Sequence, residues 1–159
     1  MKTITILLIA GVAMLTQFHS YGQDIPLNKF DKRGIEVINN FMQALMDNQT
    51  DEQAAAKAAM PYIHASEYDN SGTNLKRDRL DFSFKKAWQN AKFYQLPVSV
   101  TRIQKQNLTA IGFGPTAQAG ISYKVWIAKK AGVNGMPAPL NVFFPADGSA
   151  PTLHYYGSL

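Results

Sequence analysis

The fold of this chain is decided by the stretch Gln118-Ala119-Gly120-Ile121-Ser122-Tyr123-Lys124-Val125-Trp126-Ile127-Ala128-Lys129. Apolar residues recur here at every second position, which is typical of a β-strand because successive side chains of a strand point to opposite faces. One face carries Ile121, Tyr123, Val125 and Ile127, and the other carries Trp126. Large apolar groups on both faces predict a strand that is central in a sandwich or lines a pocket beneath helices.

Helical patterns precede this strand, and further strand patterns lie on either side of it. Alternating apolar residues between turn signals predict strands over 98–104, 140–144 and 152–158. Apolar residues spaced three and four apart predict helices over 31–47 and 78–93. Helices first and closely linked strands afterwards indicate an α+β domain with an antiparallel meander.

A short helix is predicted between the two longer ones. Thr50-Asp51-Glu52-Gln53 has the form of a capping box with Thr50 as the N-cap, and an Ala-rich run continues to Ala59. Pro61 lacks an amide hydrogen, so the helix should break there. Residues 24–29 are predicted to be an unstructured lead-in.

The first 22 residues have the pattern of a secretory signal peptide. Lys2 supplies a positive start, residues 4–15 form an apolar run, and Ser20 and Gly22 stand three and one positions before Gln23. The run is shorter than the roughly 20 apolar residues that span a bilayer. We therefore expect an exported protein, periplasmic or secreted, that consists of a single domain over 23–159 without stable membrane insertion after cleavage.

Composition excludes several classes of function. The chain has 159 residues, a formal net charge of +5 and no cysteine. Its basic residues are scattered rather than gathered into one stripe, so no nucleic-acid partner is expected. The absence of cysteine removes disulfides, thiol nucleophiles, iron–sulfur clusters and cysteine-ligated zinc.

The order of elements, together with a few sequence segments, resembles the nuclear-transport-factor-2-like superfamily. The segments that carry the resemblance are 41–45 (Phe-Met-Gln-Ala-Leu), 61–64 (Pro-Tyr-Ile-His), 139–144 (Pro-Leu-Asn-Val-Phe-Phe) and 154–159 (His-Tyr-Tyr-Gly-Ser-Leu). The resemblance implies a cone in which N-terminal helices pack in the concave face of a curved antiparallel sheet of four or more strands. It also implies a small-molecule pocket at the open end of the cone and a homodimer formed through the sheet.

Histidines are the first candidates for chemistry, because imidazole titrates near neutral pH. His64 follows the second predicted helix, and His154 lies on the last strand with Tyr156 on the same predicted face. A catalytic role would use His154 with Tyr156 or Asp69, whereas capping or surface positions are the structural alternatives. Residues 23–159 contain two histidines and no cysteine, which fits no common ligand set, so no metal site is expected, and no cofactor motif is present.

Aromatic residues are the remaining candidates for a binding site. Their apolar rings and polar O–H or N–H groups suit a ligand pocket, but they suit a core or a dimer face equally well. The candidate ligand-binding residues are His64, Tyr68, Trp88, Tyr123, Trp126, His154 and Tyr156. Residues 82–159 contain Asp147 as their one acidic side chain, which disfavours chemistry that needs a pair of carboxyl groups.

Three hypotheses remain open. The first is an exported, non-catalytic domain that binds a small apolar or amphipathic ligand, or a protein partner, at the open end of the cone. The second is a cofactor-free isomerase, dehydratase or hydrolase that acts through His154. The third is a structural module whose sheet serves dimerisation.

Overall fold

The computed structural model describes residues 22–159, so the predicted signal peptide, apart from Gly22, lies outside the described residues. The α-helices are α1 (Lys32–Asp47), α2 (Glu52–Ala59) and α3 (Lys85–Asn90). The strands are β1 (Gln23–Asp24), β2 (Ser99–Lys105), β3 (Ala110–Ile111), β4 (Gln118–Ala128), β5 (Ala138–Pro145) and β6 (Thr152–Tyr155). Within this part of the chain, no helix has the length and apolar character needed to cross a membrane.

Helix α1 confirms the prediction for residues 31–47. The side chain of Asp31 accepts a hydrogen bond from the main-chain N–H of Arg33 at 2.9 Å, which caps the first turn. Its apolar stripe is fully buried at Ile38, Phe41 and Leu45. The stripe faces the sheet, where α1 packs against β5 and β6.

The N-cap of α2 is Asp51, so the prediction that Thr50 caps this helix is wrong. The Asp51 carboxylate accepts hydrogen bonds from the main-chain N–H groups of Gln53 and Ala54, both at 3.0 Å. The positive end of the helix dipole also stabilises a carboxylate at this position, whereas an uncharged hydroxyl gains less from it. The predicted break at Pro61 is confirmed, because the helix gives way to a 3₁₀ turn over Met60–Tyr62.

Residues 79–93 are helical, as predicted, but they contain three kinds of turn. A π-helical turn (Arg79–Phe84) leads into α3, and a 3₁₀ turn (Ala91–Phe93) follows it. Phe84 is fully buried in the core, whereas Phe82, two residues earlier, is 73% exposed. This helical segment therefore has an apolar side chain on its outer surface as well as on its inner one.

The sheet is open and antiparallel, with strand order β1-β2-β4-β5-β6 and with β3 paired to β4. β4 is flanked by β2 and β5 within this one sheet, so it is not the central strand of a sandwich, which was one of the two arrangements predicted for it. The lead-in predicted for residues 24–29 is wrong in part, because β1 pairs with the end of β2 and Leu27–Lys29 forms a 3₁₀ turn. The Arg102 guanidinium, 3.0 Å from the Asp24 carboxylate, joins these two strands.

The core lies between the helices and one face of the sheet, and the α+β prediction is confirmed. The buried strand residues on this face include Val125, Leu140, Val142 and Leu153. Phe143 is also fully buried, but it lies on the opposite face, outside the main core. A second, smaller buried cluster therefore exists behind the sheet.

Candidate functional site

His154 is the centre of the cluster behind the sheet. Phe143 of β5 pairs with Ser122 of β4, and both side chains are fully buried. The half-buried His154 of β6 reaches across them, with its Nε2 atom 2.7 Å from the Ser122 Oγ atom. The predicted histidine therefore forms a close serine–histidine pair.

His64 enters the same cluster from the segment that follows α2. Its main-chain N–H donates to the Leu153 carbonyl oxygen at 2.8 Å, which attaches this segment to β6. Its Nδ1 atom accepts a hydrogen bond from the main-chain N–H of Ser66 at 3.1 Å. A neutral ring with Nδ1 as acceptor carries its proton on Nε2, and that atom lies 3.2 Å from the Oε1 atom of Gln118.

The Phe143 ring lies between the two imidazoles. Its centroid is 5.7 Å from that of His64 and 6.3 Å from that of His154, with interplanar angles of 77° and 85°. Burial, together with the smaller effect of the nearby His64, lowers the pKa of His154 from its ordinary value of 6.5 to about 4. Burial also lowers the pKa of His64, against the opposing effect of its hydrogen bond to the Gln118 side chain. Both rings are therefore neutral at pH 7.

The serine–histidine pair has the distance expected of a nucleophile and its base, but it is not open to a substrate. Ser122 has no exposed surface. No carboxylate hydrogen-bonds to either imidazole in the part of the chain that the structure describes, so neither ring has the orienting acid of a catalytic triad. The arrangement is suited to a packed polar cluster more than to catalysis.

Tyr156 and Asp69 do not join His154. The prediction that Tyr156 shares a face with His154 is wrong, because β6 ends at Tyr155 and the Tyr156 ring packs in the main core, 5.2 Å from the Phe41 ring. Asp69 stays in its own exposed loop, where it accepts hydrogen bonds from Ser71. The proposed catalytic combinations of His154 with either residue are therefore not assembled.

Tyr156 is nevertheless an unusual core residue. It is 1% exposed, and its hydroxyl has no hydrogen-bond partner among the described residues. Burial raises its pKa well above the ordinary range, and the Glu67 carboxylate raises it further. Glu67 itself is buried and lies 2.6 Å from the Arg79 guanidinium, while burial raises the pKa of its carboxyl group.

The other aromatic candidates lie in separate places. The Tyr68 hydroxyl donates to the Ile63 carbonyl oxygen at 2.9 Å, and the Trp88 indole N–H donates to the Asn48 carbonyl oxygen at 2.9 Å. Tyr123 packs edge-on against Phe30 and Phe144 near the start of α1. Trp126 lies on the far face of the sheet beneath two cations, those of Arg102 at 4.8 Å and Lys124 at 5.1 Å. The seven candidate ligand-binding residues thus do not form one pocket.

Two adjoining clefts run along the outer side of α3, and we call them together the α3 groove. The larger, of about 400 Å³, is bounded by Lys86, Phe93, Lys129 and Met136, and the smaller, of about 330 Å³, by Phe82, Lys85, Lys86 and Gln89. Lys86 lines both clefts. The last residues of the described chain also contribute to the walls, Gly157 to the smaller cleft and Ser158 and Leu159 to the larger. Each cleft has a strongly exposed apolar side chain, with Met136 86% and Phe82 73% exposed.

Sequence reasoning missed this groove, although a signal for it was present. Phe82, Lys86, Asn90 and Phe93 recur at spacings of four, four and three, which places them on one stripe of a helical segment. An amphipathic helix normally has polar residues along such an outer stripe. Phe82 departs from that pattern, and Met136 lies far away in the sequence, so only the fold brings the two together around the groove.

The described residues contain no group of three or more His, Cys, Asp or Glu side chains that could hold a metal ion. Comparisons with known proteins leave the family open: no protein-family model, no curated protein and no solved structure matches this chain.

Proposed function

We propose that this chain is an exported, non-catalytic binding domain that holds a protein partner in the α3 groove. The observation that carries the proposal is the pair of exposed side chains, Phe82 and Met136, one at each of two adjoining clefts. Apolar side chains grouped around a concave surface are typical of interaction sites, whereas single exposed apolar residues need no explanation. Export is part of the proposal because of the leader pattern in residues 1–22.

Binding at the surface fits this chain better than binding inside the cone. The resemblance to the nuclear-transport-factor-2-like superfamily implies a small-molecule pocket at the open end of the cone. The interior between helices and sheet is filled here by side chains such as Phe41, Phe84 and Tyr156, which are each at most 1% exposed. Since protein interiors are packed about as densely as organic crystals, a ligand there would have to displace side chains. A homodimer formed through the sheet remains a prediction.

A hydrolase is the second candidate, because the Ser122 and His154 side chains lie 2.7 Å apart. It requires Ser122 to become exposed, since the hydroxyl is fully buried. A fluorophosphonate probe tests this directly, because it labels an activated serine. Labelling that is lost in both Ser122→Ala and His154→Gln would favour the hydrolase over the binding domain.

Photocrosslinking in the host tests the binding proposal. A photoreactive p-benzoylphenylalanine is placed at Phe82 or Met136, and Phe113 provides the matched control because it is 92% exposed and lines a separate cleft without lysines other than Lys76. We expect a discrete protein adduct from positions 82 and 136 and none from position 113. Equal adducts from all three positions, or none from 82 and 136, would contradict the proposal.

A further inference from the structure

We propose that the occupant of the α3 groove is an acidic, amphipathic peptide segment, an inference that rests on the proposed function. Its apolar side chains would enter the two clefts beside Phe82 and Met136. Its carboxylates would lie against the lysines at the rim of the groove.

The lysines around the groove favour an acidic partner. Lys85 and Lys86 are exposed, and neither forms an ion pair among residues 22–159. Lys129, on the far wall of the larger cleft, donates to the Asn134 carbonyl oxygen at 3.2 Å, and its Nζ atom lies 5.9 Å from the centroid of the Phe93 ring. Of the described residues that line the clefts, Asp81 is the one with a carboxylate side chain, and it pairs with Arg77 at 3.4 Å. The groove thus has free positive charge, which favours a negatively charged partner.

The shape of the groove favours a peptide segment over a flat surface. The two clefts meet at Lys86, which suits a narrow chain whose side chains enter the larger cleft and lie across the shallower one. A membrane surface is flat and would leave the larger cleft unfilled. An extended or helical segment with apolar residues on one side and acidic residues on the other matches this arrangement of walls and rim.

The floor of the groove is held in place by contacts within the chain. The Asn90 side-chain amide donates to the main-chain oxygen of Leu159 at 2.8 Å, which fixes the end of the described chain against α3. Gly157 lies so close to Ser83 that an added Cβ atom would be 3.0 Å from its Oγ atom. A preformed floor lowers the ordering cost that binding would otherwise carry.

The test uses purified protein expressed from the full sequence and two synthetic peptides. One is an N-acetylated, C-amidated heptapeptide in which Glu alternates with Leu and Phe, and the other has Lys in place of every Glu. Binding is followed by two-dimensional amide NMR. The variant Lys85→Gln/Lys86→Gln is compared with Lys57→Gln/Lys105→Gln, which removes the same charge from exposed positions elsewhere.

We expect the acidic peptide, but not the basic one, to shift the amide resonances of Phe82, Gln89 and Met136. Because exposed ion pairs are weak, losing both lysines should weaken binding by about five- to tenfold, whereas the control variant should bind as the unchanged protein does. Raising the salt concentration should also weaken binding, since these charges are exposed and therefore screened.

Three outcomes would overturn the inference. Equal binding of both peptides at the groove would show that charge does not select the partner, although crosslinking at 82 and 136 would still support a docking site. Binding to anionic phosphatidylglycerol vesicles through the groove, without peptide binding, would assign a lipid surface instead. If neither peptide shifts groove resonances, the inference fails, and crosslinking then decides separately whether the proposed function fails with it.

Discussion

Acidification below pH 6.5 should weaken the fold because the folded chain holds His154 in its neutral form. The pKa of this imidazole falls from 6.5 to about 4 on burial, since the ring lies against Phe143 and Ser122 and near His64. Above pH 6.5 the ring is neutral in both the folded and the unfolded chain, so it contributes no pH dependence. As the pH falls from 6.5 to about 4, the unfolded chain takes up a proton that the folded chain does not, and stability is lost.

The size of the effect follows from the same two pKa values. The interval from 6.5 to about 4, at about 1.4 kcal/mol per pH unit, corresponds to a loss of about 3 kcal/mol once the pH is below 4. At pH 5.5 the expected loss is about 1.4 kcal/mol. The lowered pKa of His64 acts in the same direction. Glu67 acts in the opposite direction, because its raised pKa lets the folded chain bind a proton first as the pH falls.

Urea unfolding at pH 7.0, 6.0 and 5.0 measures this loss. The variant His154→Gln removes the titrating ring and keeps a polar side chain near Ser122, so the difference between the two proteins isolates His154 from Glu67. We expect the variant to be less stable at pH 7 but to lose much less stability on acidification. Parallel losses in the two proteins between pH 7 and 5, or a His154 pKa above 6 by NMR titration, would refute the reasoning.

The sheet and the long helix could be predicted because the backbone geometry of each element fixes how often its side chains return to the same face. In β4, Val125 and Ile127 alternate with Lys124 and Trp126, and that alternation assigns each residue to a face whatever the neighbouring strands are. The edge strand β1 could not be predicted in the same way. It is two residues long, and its pairing with Lys105 depends on a strand far away in the sequence.

The alternation of side chains along a strand predicts their faces only as far as the strand continues, and the candidate site lies where β6 ends. His154 and Tyr156 share a face only if β6 continues, and it ends at Tyr155, after which the chain turns Tyr156 into the core. The approach of His64 to His154 depends on the bridge between Ile63 and Leu153, which no local pattern indicates. Composition could single out both histidines, but only the tertiary fold sets their distance and their pKa values.

Two pairs of substitutions test other parts of the structure by urea unfolding. Asp51→Ala should destabilise the protein by about 1 kcal/mol because it removes the N-cap of α2, and Thr50→Ala should have little effect. A larger loss of stability in Thr50→Ala than in Asp51→Ala would instead support Thr50 as the N-cap. Tyr156→Phe should leave stability unchanged or raise it, because it removes a buried hydroxyl that has no partner. Tyr68→Phe, by contrast, should cost about 1–3 kcal/mol, because the single proton of its hydroxyl is shared between the carbonyl oxygens of Met60 and Ile63, which would both lose this donor. A large loss in Tyr156→Phe would mean that the hydroxyl does have a partner in solution, such as a buried water near Glu67, and that the core at this point is not dry.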